Sequence, residues 1–302
     1  MQVSIIIVNY NTKAFLYDCL KSIYEHTSGI EYEIIVSDNG STDDSLQMIS
    51  ESFPSVKIID NKKNLGFGAA NNRALDIALG KYIFYLNSDT ILLNNAPKIF
   101  FDYFESHDDG KLGAIGANLL DNENHVIHSS GTFAGYNLSF KQLLKMSFSN
   151  FILSCLYIFH ISPARFVRSD RTDFYEGKVD YITGADLFLK NNESARFDEQ
   201  FFLYFEEADL QRQLEIQNKD RLLIDGPLIQ HLCGGSVGSD FSIKRKASFS
   251  RIQFELSRVR FLKKYNNKPI KLFFIKLLIT LIWFNPFLIK ATRKYIKDLW
   301  RI

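Results

Sequence analysis

Residues 82–86 form an unbroken apolar run, Tyr-Ile-Phe-Tyr-Leu, that halts at Asn87, Ser88 and Asp89. A run of that length, rich in aromatic and β-branched side chains, suits a strand buried on both faces, and such a strand requires a sheet with helices on either side. The polar stop then falls at the strand's carboxyl end. In open α/β sheets ligands bind at that edge, and an acid there can hold a divalent metal against a diphosphate.

The chain before this run repeats the pattern. Residues 3–9 read as a strand, and Thr12 is placed to cap a helix whose apolar positions Phe15, Leu16, Cys19, Leu20 and Ile23 recur at helical spacing. Residues 33–38 and 56–60 read as further strands, joined by a short helix at 45–53. The stretch from Asn64 through Gly66 to Asn72 opens an Ala-rich helix running towards Ala78, which Gly80 ends. Strands alternating with helices in this way are the mark of βαβ units, so the expected fold class is α/β, a doubly wound and mostly parallel sheet. Every one of these strands ends in Asn or Asp, at Asn9, Asp38, Asp60 and Asn87 with Asp89. Loop polarity alone does not require an acid or amide at all of them.

Further on, a helix is expected at 96–106, strands at 112–119 and 179–183, and a helix from Glu206 to about residue 218 with Glu206, Glu207 and Asp209 in its first turn. The helix dipole favours acids there whatever their job. A strand at 222–224 precedes a glycine-rich loop from His231 to Ser236. Residues 139–167 are apolar and aromatic but too short to span a bilayer. They read either as a mobile amphipathic insertion near an acceptor site or as a helix pair packed on the core.

Charge divides the chain more sharply than its net +2 suggests. Residues 1–243 hold 20 Lys or Arg against 32 Asp or Glu, while residues 244–302 hold 16 against 2, a net +14 behind an acidic body. A tail so basic points to a polyanionic partner, and the acidic body argues for an anionic membrane surface and against nucleic acid. The apolar run 272–289 is interrupted by Lys276, Asn285 and Pro286 and followed by Lys290, Arg293, Lys294, Lys297 and Arg301. It reads as an interfacial amphipathic segment with Trp283 and Trp300 near lipid headgroups, or alternatively as a helix closing the core. The expected organisation is therefore a catalytic domain over 1–240 and a C-terminal helical, basic amphipathic, membrane-associating region over 241–302. Three scattered cysteines suggest neither a disulfide framework nor a zinc cluster, and the N-terminus lacks the pattern of a secretory signal. Both fit a protein of the cytoplasm, peripheral on the inner face of the cytoplasmic membrane.

The segments around Asp38, Asn64 to Asn72, Leu86 to Thr90, Glu206 to Asp209 and His231 to Ser236 occur in one order. Together they resemble the GT-A fold, inverting, family 2 glycosyltransferases, and among them the bacterial rhamnosyltransferase-like branch, over about residues 3–240. That resemblance implies transfer of a sugar, L-rhamnose from dTDP-rhamnose, to a lipid-linked or growing cell-surface polysaccharide such as an O-antigen. It also leaves room for a UDP-hexose donor carrying galactose, galactofuranose or glucose, or for a non-catalytic protein that only binds a nucleotide sugar. The implied cofactor is a divalent metal, Mn²⁺ or Mg²⁺.

By the same resemblance, Asp89 is the metal ligand of a DxD-type motif whose usual first acid is Asn87 here, with Ser88 between them, and His231 completes the metal site. Asp38 would accept the nucleobase imide N–H, with Val8, Asn9 and Tyr10 supporting base and ribose. Asn64, Gly66 and Asn71 would contact the nucleotide or donor sugar, and residues 184–186, beginning at Gly184, would line the sugar pocket. Glu207 aligns with the general base, while Glu206 or Asp209 could share or hold that role.

Overall fold

The computed structural model describes residues 1–158, 171–232, 248–284 and 289–302, the side chains of 150–158 excepted. These residues fall into two compact units. The first comprises Met1–Phe133 with the described parts of Asp170–Phe202 and Glu206–Gly238; the second takes the described parts of Ala134–Ser169 and Ser239–Ile302, together with Leu203–Phe205.

The first unit is built on a mixed, mostly parallel sheet. β1 (Val3–Asn9), β2 (Tyr32–Asp38), β3 (Lys57–Asp60) and β4 (Tyr82–Asn87) run parallel in the order β3-β2-β1-β4, linked by α1 (Lys13–His26), α2 (Ser45–Ser52) and α3 (Phe67–Leu75). After Asn87 the chain leaves the sheet as β5 (Thr90–Leu92) and continues into α4 (Ala96–His107), β6 (Leu112–Ala117) and the two-residue β7 (Ser130–Gly131). Sheet alternation sends Val3, Ile5 and Ile7 into a cluster with Leu16, Cys19, Leu20 and Phe104, and Ile6 into a second cluster with Ala74, Leu210 and Leu214. A strand buried on both faces is apolar at most positions, which explains runs such as Ile5–Ile7, and the buried exceptions are bonded, Ser4 Oγ donating to Glu33 Oε1 at 2.6 Å. Cys19 is part of this packing, and burial pushes its thiol up to about 12, leaving it inert.

The remaining strands depart from the expectation. The stretch 179–183 yields only the two-residue β9 (Tyr181–Ile182), with β8 (Gly177–Lys178) just before it. β10 (Asp186–Lys190), which the sequence reading missed, lies antiparallel between β4 and β6. Its Phe188 ring lies 5.3–6.0 Å from Tyr82, Phe84, Phe100 and Phe104, at the centre of the larger core cluster. After α6 (Glu206–Ile216), β11 (Asp220–Ile224) runs parallel to β6, and β12 (Ile229–His231) pairs with β5 outside the main sheet.

The second unit is helical: α5 (Tyr136–Ile158), α7 (Phe249–Tyr265), α8 (Pro269–Trp283) and α9 (Ile289–Arg301). The expected helix from residue 244 begins among the described residues at Phe249, with the Ser248 hydroxyl accepting Arg251 N–H at 3.3 Å, and 244–247 lie outside them. Of the stretch 139–167, residues 159–167 likewise lie outside. Leu143, Leu256, Val259, Ile275, Ile279, Trp283 and Leu299 form this unit's core. The placement of Trp283 near lipid headgroups is therefore corrected: its ring is buried, because that side of α8 seals the helical core.

Asp186 corrects another expectation. As the first residue of β10 it is fully buried rather than lining a pocket, and its Oδ2 accepts Ala117 N–H at 2.6 Å. Burial pushes its carboxyl well above the usual carboxylate range, against the opposing pull of the Ala117 amide and the His231 charge. A raised folded pKa means that the native state keeps a proton the unfolded chain loses above about pH 4, so this group's contribution to stability falls as pH rises. Asp186→Asn keeps the acceptor for Ala117 and removes that slope. The gap in melting temperature between Asp186→Asn and the parent protein should grow in the variant's favour from pH 4 to pH 7, whereas Asp186→Ala, which orphans the amide, should cost about 1–3 kcal/mol.

Candidate active site

Polar side chains tie together the carboxyl ends of β1, β2 and β4. Asn9 is fully buried; its Nδ2 donates to Asp38 Oδ2 at 2.7 Å and Ser41 Oγ at 3.0 Å, and its Oδ1 accepts the Thr12 hydroxyl at 2.6 Å. Thr12 Oγ1 lies 3.0 Å from Ser88 Oγ, which carries the network to the turn holding Asp89. Thr12 does occupy the N-cap position of α1, but its hydroxyl is committed to this network and makes no cap. The first helical amide, Lys13 N–H, donates to Asp43 Oδ2 at 2.8 Å instead.

Asp38 is fully buried, and its Oδ1 accepts the amides of Gly40 and Ser41 at 3.0 and 2.8 Å in an Asx-type turn. Oδ1 thus holds the loop after β2, while Oδ2 ties it to Asn9 at the end of β1. Val8 lies half-buried between β2 and β4, and the exposed side chain at this corner is Tyr10.

The segment from Asn64 answers to the protein's own packing. Gly66 has φ +90°, a side chain there would place Cβ 2.3 Å from the Phe202 carbonyl oxygen, and Phe67 N–H donates to that same oxygen at 2.9 Å. Asn64 Oδ1 accepts Gly66 N–H at 2.9 Å, and buried Asn71 donates to the Phe67 carbonyl at 3.1 Å. Asn39, which the sequence reading did not single out, joins this segment to the network: its Nδ2 donates to the Gly66 carbonyl at 3.1 Å, and its Oδ1 accepts Asn61 Nδ2 at 3.2 Å.

Asp89 and His231, 142 positions apart, are brought together by the β5–β12 ribbon. His231 pairs with Thr90, and Leu232 N–H donates to the Asp89 carbonyl at 2.9 Å. Asp89 Oδ1 and His231 Nε2 then lie 3.2 Å apart, both mostly buried. Two donors bound side by side in an octahedral shell lie about 3 Å apart, so this spacing suits a shared cation. A carboxylate with an imidazole suits Mn²⁺ better than Mg²⁺. Among the described residues no group of three or more His, Cys, Asp or Glu gathers at a metal-binding spacing. Residues 233–236 of the expected glycine-rich loop lie outside the described residues.

Burial sorts the acids of α6. Glu206 and Asp209 are buried, while Glu207 is partly open. Gln211 pins this helix to β9, accepting Ile182 N–H at 2.8 Å and donating to the Ile182 carbonyl at 2.7 Å. One turn earlier, Glu207 faces Gly184, where an added Cβ would lie 3.6 Å from its own Cβ and 3.5 Å from the Phe67 ring. Ala185, the next residue, accepts Asn87 N–H at 3.0 Å, which sets Gly184 beside the strand end that bears Asp89. Burial and then the charge of Glu207 raise the Tyr181 hydroxyl above its ordinary range. A separate cavity lined by Leu112, Lys190 and Lys219 lies at the far end of β6 and contains none of these residues.

Residues 4–159 match the model of the family described as Glycosyl transferase family 2. Over 200 residues the chain is 28% identical to the chondroitin synthase of Escherichia coli, a match covering 65% of this chain and 27% of that protein, so the chain spans about a quarter of this relative's length. Two solved structures are similar at 13% identity. S. aureus TarS 1–349 in complex with UDP gives a TM-score of 0.52 over 93% of this chain and 70% of that one. The mannosyltransferase PcManGT from Pyrobaculum calidifontis, in complex with GDP-Man and Mn²⁺, gives 0.54 over 97% and 74%. These likenesses show the shared GT-A fold, the mixed sheet with its flanking helices.

Gly66→Ala tests the packing of this edge. It forces a Cβ into the Phe202 carbonyl at a left-handed φ, and a loss of about 2 kcal/mol or more in chemical denaturation is expected.

Proposed function

The chain belongs to glycosyl transferase family 2, and on that premise we propose that it is an inverting, metal-dependent enzyme moving a sugar from a nucleoside diphosphate to a polysaccharide hydroxyl. One observation carries the reading: the Asp89–His231 pair stands at the same sheet edge as half-buried Glu207, with Gly184 and Ala185 between them.

In such a transfer the acceptor oxygen attacks the anomeric carbon, the bond from that carbon to the diphosphate breaks, and its electrons leave with the nucleoside diphosphate through an oxocarbenium-like state. Glu207 takes the acceptor's proton as general base. The choice among the three acids rests on residue burial: Glu206 and Asp209 are buried, while Glu207 is half-buried. Asp89 and His231 would hold the divalent cation, whose charge offsets that building on the departing diphosphate. Tyr10 offers an exposed ring against the base, while Asp38 and Asn9 hold the loops around it.

The donor assignment has two forms. L-rhamnose from dTDP-rhamnose rests on the resemblance of the motifs. A UDP-sugar is favoured by the structural likeness to TarS in its complex with UDP. Both place a pyrimidine base at the same edge, and a hydrolysis screen of dTDP- and UDP-sugars with Mn²⁺ separates them. The chondroitin synthase relative supports a glycan acceptor, and a lipid-linked glycan is its membrane-bound form.

Glu207→Gln should lower the transfer rate by about 10²–10⁴-fold while leaving titrated donor affinity unchanged. An unchanged rate would assign the base to another acid of α6, and a parent protein that binds donor without transferring sugar would leave a nucleotide-sugar-binding protein as the reading. Asp89→Asn and His231→Ala should each weaken Mn²⁺ binding in the presence of UDP by about tenfold or more, read by calorimetry.

A further inference from the structure

The helical unit presents an apolar face that its own core does not use. Along α8 one side, carrying Leu272, Ile275, Ile279, Ile282 and Trp283, is buried in that core. The other side carries Ile270, Phe273, Phe274 and Leu281, with Phe284 just beyond the helix end, each 50–75% exposed. Their spacing draws one stripe down the whole helix. A helix apolar all round belongs inside something, and half of this one faces outward.

A cationic face adjoins the stripe. Trp300 of α9 packs on Phe273 with ring centroids 5.6 Å apart and donates from Nε1 to Thr280 Oγ1 at 3.0 Å, which fixes α9 beside α8. The inward side of α9 is held by Leu299 and Thr292. Its exposed side carries Lys290, Arg293, Lys294, Lys297 and Arg301 at helical spacing, with Asp298 the one acid of the helix.

We infer that this face docks on an anionic lipid bilayer, with the α8 stripe entering the acyl boundary and the basic side of α9 lying on the phosphates. An apolar stripe rimmed by Lys and Arg and edged by a Trp is the chemistry of an interfacial helix pair. Insertion across the membrane does not fit: α8 has 15 residues, about 22 Å of helix against a hydrocarbon core of about 30 Å. No helix among the described residues is long and apolar enough to cross. A second copy of the chain is a poorer occupant, because a two-fold contact through this face would set two cationic rims against each other. Nucleic acid would use the basic side of α9 and leave the stripe in water. This surface is independent of the sugar-transfer chemistry, since every residue in it belongs to the helical unit.

The test is sedimentation of the full chain with vesicles of phosphatidylcholine alone and of phosphatidylcholine mixed with phosphatidylglycerol. Binding should appear on the mixed vesicles and weaken as salt is raised. Phe274→Glu combined with Leu281→Glu should lower that binding by about tenfold or more, as should Lys294→Glu combined with Lys297→Glu. All four side chains are exposed, and an unchanged thermal melt confirms that each variant is folded. Equal binding by the parent protein and the Phe274/Leu281 variant would overturn the inference. So would a parent protein that ignores both vesicle types but forms a dimer, by light scattering, that the variant does not. Salt-sensitive retention on DNA with no vesicle binding would overturn it as well.

Discussion

One buried amide ties the active edge together. Asn9 bonds simultaneously to the end of β2 through Asp38, to the following loop through Ser41, and to the start of α1 through Thr12, whose hydroxyl continues to Ser88. Each of these partners would be costly to bury alone, and a fully satisfied buried network is worth more than its separate bonds. The turn that presents Asp89 is therefore continuous with the loops after β1 and β2, and neither can shift without breaking bonds in the other. Parallel strands bring their carboxyl ends to one edge, and this network makes that edge rigid.

The same economy explains why strand-end acids and amides are poor guides to direct contact. Asp38, Asn64 and Asn71 all sit where a ligand-binding residue is expected, and each side chain is bonded to its own chain. They shape the site by holding backbone in place. Among the described residues of this edge, Tyr10 is exposed, Glu207 is half-buried, and the Asp89 and His231 side chains keep 15% and 20% of their surface in solvent. A preorganised site is expected to look like this, with rigid support behind a small working surface.

The first four strands were legible because burial on both faces writes itself into consecutive residues such as Ile5, Ile6 and Ile7. β10 was not, because Asp186 and Lys190 at its ends read as loop, and its place in the sheet comes from pairing with β4 and β6, which no local pattern encodes. The approach of His231 to Asp89 was legible only through family resemblance, since it depends on a three-residue ribbon between distant segments. Which acid of α6 stays open was beyond the sequence, where all three share the same first turn and only packing distinguishes them. The run 272–289 was posed as an interfacial segment or as a helix closing a core; Leu272, Ile275, Ile279 and Trp283 do close a core, while the opposite side of α8 is exposed.

Strain enters just before α6. Tyr204 and Phe205 have φ of 66° and 69°, a left-handed conformation that side chains other than glycine rarely adopt, at a cost of about 1–3 kcal/mol each. Something must offset that cost, and the contacts are aromatic. The Phe205 ring lies 5.2 Å from Phe254 and 5.5 Å from Phe261, the Tyr204 ring lies 5.6 Å from Phe254, and Ser257 Oγ donates to the Leu203 carbonyl at 3.0 Å. All of those partners lie on α7, and the very next residue of the chain is Glu206. Leu203–Phe205 belong with the helical unit, so the left-handed turn is held by rings of that same unit.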